Sequence, residues 1–148
     1  MDKLLEEILI EKDYIEETLD VLREALNRSE KTVVELSAIG ASLHHCYNGM
    51  ENILKRILKF HNISTPSSAS SHKDLLDIAI QEKLISEDIS DKLDKFRGFR
   101  HFFVHGYGVL LNEEELQPLV DELPDVWVQF ENEIQNFLTL DPQEDNEK

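Results

Sequence analysis

At 148 residues, with 41% hydrophobic content, the chain is long enough to bury a core of its own, and one domain is the reading that length supports. The five glycines and four prolines leave long stretches free of either, which favours helix over a turn-rich β fold, and the single cysteine excludes an internal disulfide and suits a reducing cytosol. The net charge of −16 counts against a general nucleic-acid binder, because holding phosphate needs cations.

Residues 3–27 read as a first amphipathic helix, with Leu4, Ile8, Ile15, Leu19, Leu22 and Leu26 near one face and Glu/Lys opposite. Its start, Met1-Asp2-Lys3-Leu4-Leu5-Glu6-Glu7, is too acidic for a signal peptide, and no apolar run approaches ~18 residues. A soluble, cytoplasmic protein without membrane attachment is expected. Asn27-Arg28-Ser29 breaks the pattern. Thr32-Val33-Val34-Glu35 has the form of a capping box for a second helix, with Ser29 as an earlier alternative start. Leu36, Ile39, Leu43, Cys46/Tyr47, Met50, Ile53/Leu54 and Ile57/Leu58 then hold a 3–4 spacing to about residue 61. A helix of ~30 residues spans ~45 Å and would form the spine of a bundle, with Gly40 and Gly49 inside it as places of close helix approach.

Residues 62–70 are polar and without period, a loop within the domain. Ser71-His72-Lys73-Asp74 offers a cap for a short third helix over Lys73–Lys83, and Ser86-Glu87-Asp88 caps a fourth with acids in its first turn. The core stripe of this fourth helix is Ile89, Leu93, Phe96 and Phe103, and Gly106 and Gly108 should end it. Asn112-Glu113-Glu114-Glu115 opens a last helical region that Pro124 should interrupt or restart, with Val126, Trp127, Phe130, Ile134, Phe137 and Leu138 as its buried face. Residues 141–148 form an acidic, frayed tail. The expectation is an all-α, up-and-down bundle of four main helices plus one or two short ones, filling residues 1–140 as a single domain.

The fourth helix delivers an unusual stretch, Phe96 to Gly108, which sets Arg97, Arg100, His101, His105 and Tyr107 among four phenylalanines. Charge points to the same place. Residues 1–54 carry 12 acids and 5 bases, residues 55–100 carry 7 acids and 9 bases, and residues 101–148 carry 12 acids and 1 base. The only third that is not acidic leads into this stretch, although an acidic surface around one basic cleft would equally suit a basic partner protein. Arginine offers a fixed fork of donors matched to phosphate oxygens, and histidine can take and give a proton near neutral pH, so together they suit phosphodiester chemistry.

On an ideal helix at ~100° per residue, Arg97, His101 and His105 stack, Arg100 lies in line with Tyr107, and Arg100 and His105 stand ~140° apart. They converge on one phosphate only if the helix ends near Gly106 or a second copy of the chain supplies the other half. His101 and His105 at i, i+4 could share a zinc ion, but no third ligand accompanies them and no acid of an H-E-x-x-H pattern lies between them. No metal or other cofactor is therefore expected. His44 and His45 read as ordinary interface or half-buried residues rather than ligands. The phenylalanines could stack on bases but at this spacing fit core and dimer contacts better. Lys92, Lys95 and Arg97 interleave with Asp91 and Asp94, as either an ion-paired face or a track for RNA.

The run Arg100-His101-x-x-x-His105-x-Tyr107, with Gly98-Phe99 and Gly106 beside it, resembles the R-x4-H-x-Y signature of HepT-like toxins, members of the HEPN ribonuclease family encoded beside a minimal nucleotidyltransferase antitoxin. The resemblance covers roughly residues 35–138 and departs at His101, where such sequences often have Asn. It implies a HEPN-like helical fold, a homodimer lining one cleft with both motifs, and an endoribonuclease acting on tRNA or mRNA. Arg100 and His105 would carry cleavage, with His101 and Arg97 in support, and Tyr107 would be the residue that the cognate nucleotidyltransferase modifies with AMP. The alternative is a non-catalytic helical module that binds a nucleotidyltransferase or a nucleotide; such a module has no need to keep Arg, His and Tyr together.

Overall fold

The computed structural model describes residues 1–65, 71–105 and 111–140, and every regular element among them is a helix: α1 (Asp2–Leu26), α2 (Val33–Phe60), α3 (Ser71–Gln81), α4 (Glu87–Val104) and α5 (Glu113–Thr139). Four are long and one is short, as the periodicity predicts. The expected tail, residues 141–148, lies outside the described residues. None of the described helices is long and apolar enough to cross a membrane.

The spine is α2, which packs against α1, α3, α4 and α5. It starts at the capping box: Val34 N–H donates to Thr32 Oγ1 at 3.2 Å while Glu35 accepts from Thr32 N–H at 2.9 Å, so two of the helix's orphan donors are satisfied and the alternative start at Ser29 is not used. Asn62 stops it in the left-handed region at φ 60, with Ile63 N–H reaching back to the Leu58 carbonyl. Between these ends Ile39, Leu43, Cys46, Tyr47, Met50, Ile53, Leu54, Ile57 and Leu58 are all buried. Each such side chain contributes about 1.5–3 kcal/mol on leaving water, more than enough to set the register of the bundle. Burial also pushes the Cys46 thiol up to about 12, which leaves it an unreactive core residue.

Both glycines of α2 are contact points. A Cβ on Gly49 would lie 2.5 Å from Ile15 Cγ1 of α1, and one on Gly40 would lie 2.7 Å from Leu111 Cδ1 and 3.1 Å from Phe103 Cε1 of α4. Gly40 therefore lets the end of the motif helix approach the spine.

Two elements differ from the sequence expectation. First, α3 begins two residues earlier than expected and ends at Gln81, so that Ser71 and His72 belong to the helix. Lys83, in the left-handed region at φ 65, closes it, and Leu84 N–H donates to the Ala79 carbonyl at 2.9 Å. Second, α5 runs unbroken through Pro118 and Pro124. Proline removes one ladder hydrogen bond and crowds the preceding turn, at about 3 kcal/mol in a helix interior. Here Leu116, Val120 and Leu123 before Pro124, and Val126, Trp127, Phe130, Ile134 and Leu138 after it, form one buried stripe. Breaking the helix would expose half of that stripe. Trp127 Nε1–H also donates to Glu16 at 2.7 Å and fastens α5 to α1.

Candidate active site on helix α4

The motif helix α4 is fixed at its start by Ser86, whose hydroxyl accepts from Ile89 N–H and whose own N–H and hydroxyl donate to Glu133 of α5 at 2.7 and 3.0 Å. Ile89, Leu93 and Phe96 are buried, whereas Phe103 is half-buried at the edge of the core stripe. Its ring stacks on Phe99 at 5.8 Å and lies 5.4 Å from the ring of His44 on α2. The phenylalanines thus hold α4 against the spine and against each other, and what α4 offers outward is its arginines and histidines.

The basic residues separate into two groups. Lys92 pairs with Asp88 at 3.3 Å, Lys95 with Glu122 at 3.0 Å and Arg97 with Asp94 at 2.7 Å, so the stretch that could have been a track for RNA is an ion-paired face. Arg100 differs. Its Nε–H donates to the Oδ1 of Asn48, a neutral amide on α2, at 3.3 Å. The four other arginines each hold a carboxylate: Arg23 with Asp20, Arg28 with Glu24, Arg56 with Glu7 and Glu11, and Arg97 with Asp94. Among the described residues Arg100 is the one arginine without an acidic partner, in a chain with 31 acids. Half-buried and held at one nitrogen, it keeps its terminal donors and its charge available for another anion.

His105 caps the C-terminus of α4 and is exposed; its ring lies 4.2 Å from that of His101, also exposed, in edge-to-face contact. The register of the helix therefore persists to His105. His101 and His105 share one side, Arg100 turns toward α2, and no hydrogen bond joins Arg100 to His105 among the described residues. Nor does a third His, Cys, Asp or Glu among them join the histidine pair in a group suited to a metal ion. Tyr107, like Gly106 and Gly108, lies outside the described residues.

Sequence reasoning gave Asn48 no role and read His44 as an ordinary interface or half-buried residue, and half-buried it is. The Asn48 amide nitrogen lies 3.1 Å from His44 Nε2, which links His44 to Arg100 through one side chain. Burial first, then His45 and Arg100, hold the His44 ring below the usual histidine value, so it is neutral at pH 7. One turn further along the same face, Glu51 is buried and accepts from His72 of α3, whose Nδ1 lies 2.9 Å from both carboxylate oxygens, with Lys55 at 4.0 Å. Burial, and then this carboxylate, push the neighbouring Tyr47 hydroxyl above its ordinary value, and that hydroxyl makes no hydrogen bond of full geometry. The one visible signal for this strip was polar residues at 44, 48, 51 and 55, spaced three and four apart along one face of the helix.

Comparison with known proteins gives the arrangement a context. A chain in a crystal structure of the toxin–antitoxin MntA-HpeT, in a tyrosine-to-alanine mutant, is 20% identical; the match covers 87% of this chain and 98% of that one, with a TM-score of 0.73. A second MntA-HpeT mutant, with aspartates changed to glutamate, gives 20% identity, 86% and 94% coverage and a TM-score of 0.64. YutE of Bacillus subtilis, a cytosolic protein of unknown function, gives 22% identity, 88% and 94% coverage and a TM-score of 0.63. These likenesses are of fold. Among curated proteins the comparison finds no match. The family model for HepT-like proteins matches residues 38–140, a span that takes in most of the spine, the motif helix and α5, and the chain belongs to the HepT-like family.

Proposed function

We propose that this protein is the toxin of a toxin–antitoxin pair: a metal-independent endoribonuclease that cleaves cellular RNA, tRNA or mRNA, and is neutralised when a minimal nucleotidyltransferase attaches AMP to Tyr107. Membership of the HepT-like family and the fold shared with the MntA-HpeT chains support the pairing. The single observation that carries the nuclease reading is Arg100. An arginine without a carboxylate partner among the described residues of so acidic a chain, and oriented by a neutral amide, is suited to hold an incoming phosphate.

In this reading Arg100 donates to the non-bridging oxygens of the scissile phosphate and stabilises the charge that builds there, while His105 moves a proton to or from the reacting hydroxyl. Because Arg100 turns to α2 while His105 stays beside His101, the pair is completed between two copies of the chain, and the working form is a homodimer. His101 supports His105 through ring contact. Arg97, held by Asp94, shapes the rim of the cleft.

Incubating the purified protein with total RNA, with and without EDTA, tests the proposal. Cleavage that survives EDTA and disappears in both Arg100→Ala and His105→Ala is the expected result. No cleavage by the wild-type dimer, together with binding to the nucleotidyltransferase, would leave only a binding module.

A further inference from the structure

The hydrogen-bond chain behind Arg100 has only one consistent direction. A guanidinium can donate but not accept, so the Asn48 atom facing Arg100 Nε at 3.3 Å is the amide oxygen. The amide nitrogen then faces His44 Nε2 at 3.1 Å and donates to it. His44 Nε2 is thereby the acceptor and, in the neutral ring, the proton sits on Nδ1, which is buried and has no hydrogen-bond partner among the described residues. The chain runs Arg100 to Asn48 to His44, each link fixing the next, and the His44 ring is held in turn by Phe103 at 5.4 Å and His45 at 5.4 Å.

We infer that Asn48 and His44 are positioning residues for Arg100: a relay on α2 that fixes the plane of its guanidinium and keeps its terminal donors turned to the substrate side without neutralising its charge. An aspartate at 48 would hold Arg100 as well but would cancel its charge. An apolar residue would free it to seek one of the many surface acids. Asparagine does neither. The relay has an on-state and an off-state. A proton on His44 Nε2 would meet the Asn48 amide hydrogens, and relief by rotation of that amide would turn its nitrogen toward Arg100, donor against donor. The charged or titratable groups that act on His44 are His45 on its own helix, Arg100 on α4, and Glu51 with His72 where α3 meets α2.

The inference rests on the nuclease reading for its consequence but not for its test, which uses two readouts on the full-length protein. Nitrogen-15 NMR of wild type should show His44 as the Nδ1–H tautomer and the Arg100 Nε–H as a resolved signal in slow exchange with water. In Asn48→Leu the Arg100 signal should broaden by at least ~10-fold faster exchange, as expected when a hydrogen bond to a charged donor is lost, and His44 should move toward the Nε2–H tautomer. Asn48→Asp should preserve the Arg100 signal. In the RNA assay Asn48→Leu should lower kcat about 10-fold with little change in melting temperature, and Asn48→Asp should raise KM. If Asn48→Leu does not melt cooperatively, Asn48→Ala takes its place. Unchanged Arg100 exchange and an unchanged His44 tautomer in the folded variant would overturn the relay, whether or not the wild type cleaves RNA. A wild type inactive on RNA but with the expected NMR pattern would overturn only the nuclease reading.

Discussion

Two polar enclaves, centred on Asn48 and Glu51 three residues apart, interrupt the apolar contacts of α2, and they are built in opposite ways. Around Glu51 the charge is enclosed and answered: a buried carboxylate meets His72 at both oxygens and Lys55 at its edge. Around Asn48 the charge is held but not answered, since Arg100 meets a neutral amide and no acid among the described residues. A compensated buried charge ties elements together, here α2 to α3, and has no capacity left for a ligand. An oriented, uncompensated cation contributes less to folding and is free for an incoming anion. The same spine thus carries one enclave whose polar groups close on each other and one that leaves a cation open, and the second is the one proposed here to be functional.

This contrast predicts that mutations in the two enclaves fail in different assays. The largest effect belongs to the site: Arg100→Ala and His105→Ala should each lower RNA cleavage by about 10²–10⁴-fold while the melting temperature stays near that of wild type, with His101→Ala losing less. Equal activity in the alanine variants would erase the distinction. At the other enclave, His72→Ala should lower the unfolding free energy by about 1–3 kcal/mol in urea, because the buried Glu51 carboxylate loses its main donor, yet the folded fraction should cleave RNA at the wild-type rate. A His72 variant that is stable and inactive would reverse the two assignments.

A control outside both enclaves is Gly49→Ala, which drives a methyl to 2.5 Å from the fully buried Ile15 and should cost about 1–3 kcal/mol without touching either polar network. The smallest effect on catalysis is expected from Tyr107→Phe. A phenol with an ordinary pKa near ~10 is a poor base at neutral pH, so this variant should retain most cleavage and yet escape neutralisation on co-expression with the nucleotidyltransferase. Mass spectrometry of the wild-type peptide containing Tyr107 should show added AMP units, and their absence would remove Tyr107 from the regulatory role. Light scattering completes the set: a monomer at micromolar concentration would contradict a cleft completed between two copies.

Much of the molecule was legible before any coordinates. Capping boxes and caps at Thr32, Ser86 and Asn112 act within three residues of themselves, and the apolar period of α2 repeats every three or four, so helix number, most boundaries and the close approaches at Gly40 and Gly49 followed from local pattern. The run that holds Arg100 and His105 was legible as a candidate site, because the two sit five residues apart. What the tertiary structure alone decided depends on partners far along the chain. The continuity of α5 through Pro124 comes from a stripe buried on other helices, outweighing a local preference to break. The setting of Arg100 comes from Asn48, 52 residues away, whereas Arg97 is held by Asp94 one turn back on its own helix, a pairing that local spacing already offered. Local spacing predicts a helix because a helix is closed by its own neighbours; it does not tell which of two arginines in that helix will be left with its charge unspent, because that is settled by the surface α2 presents to it.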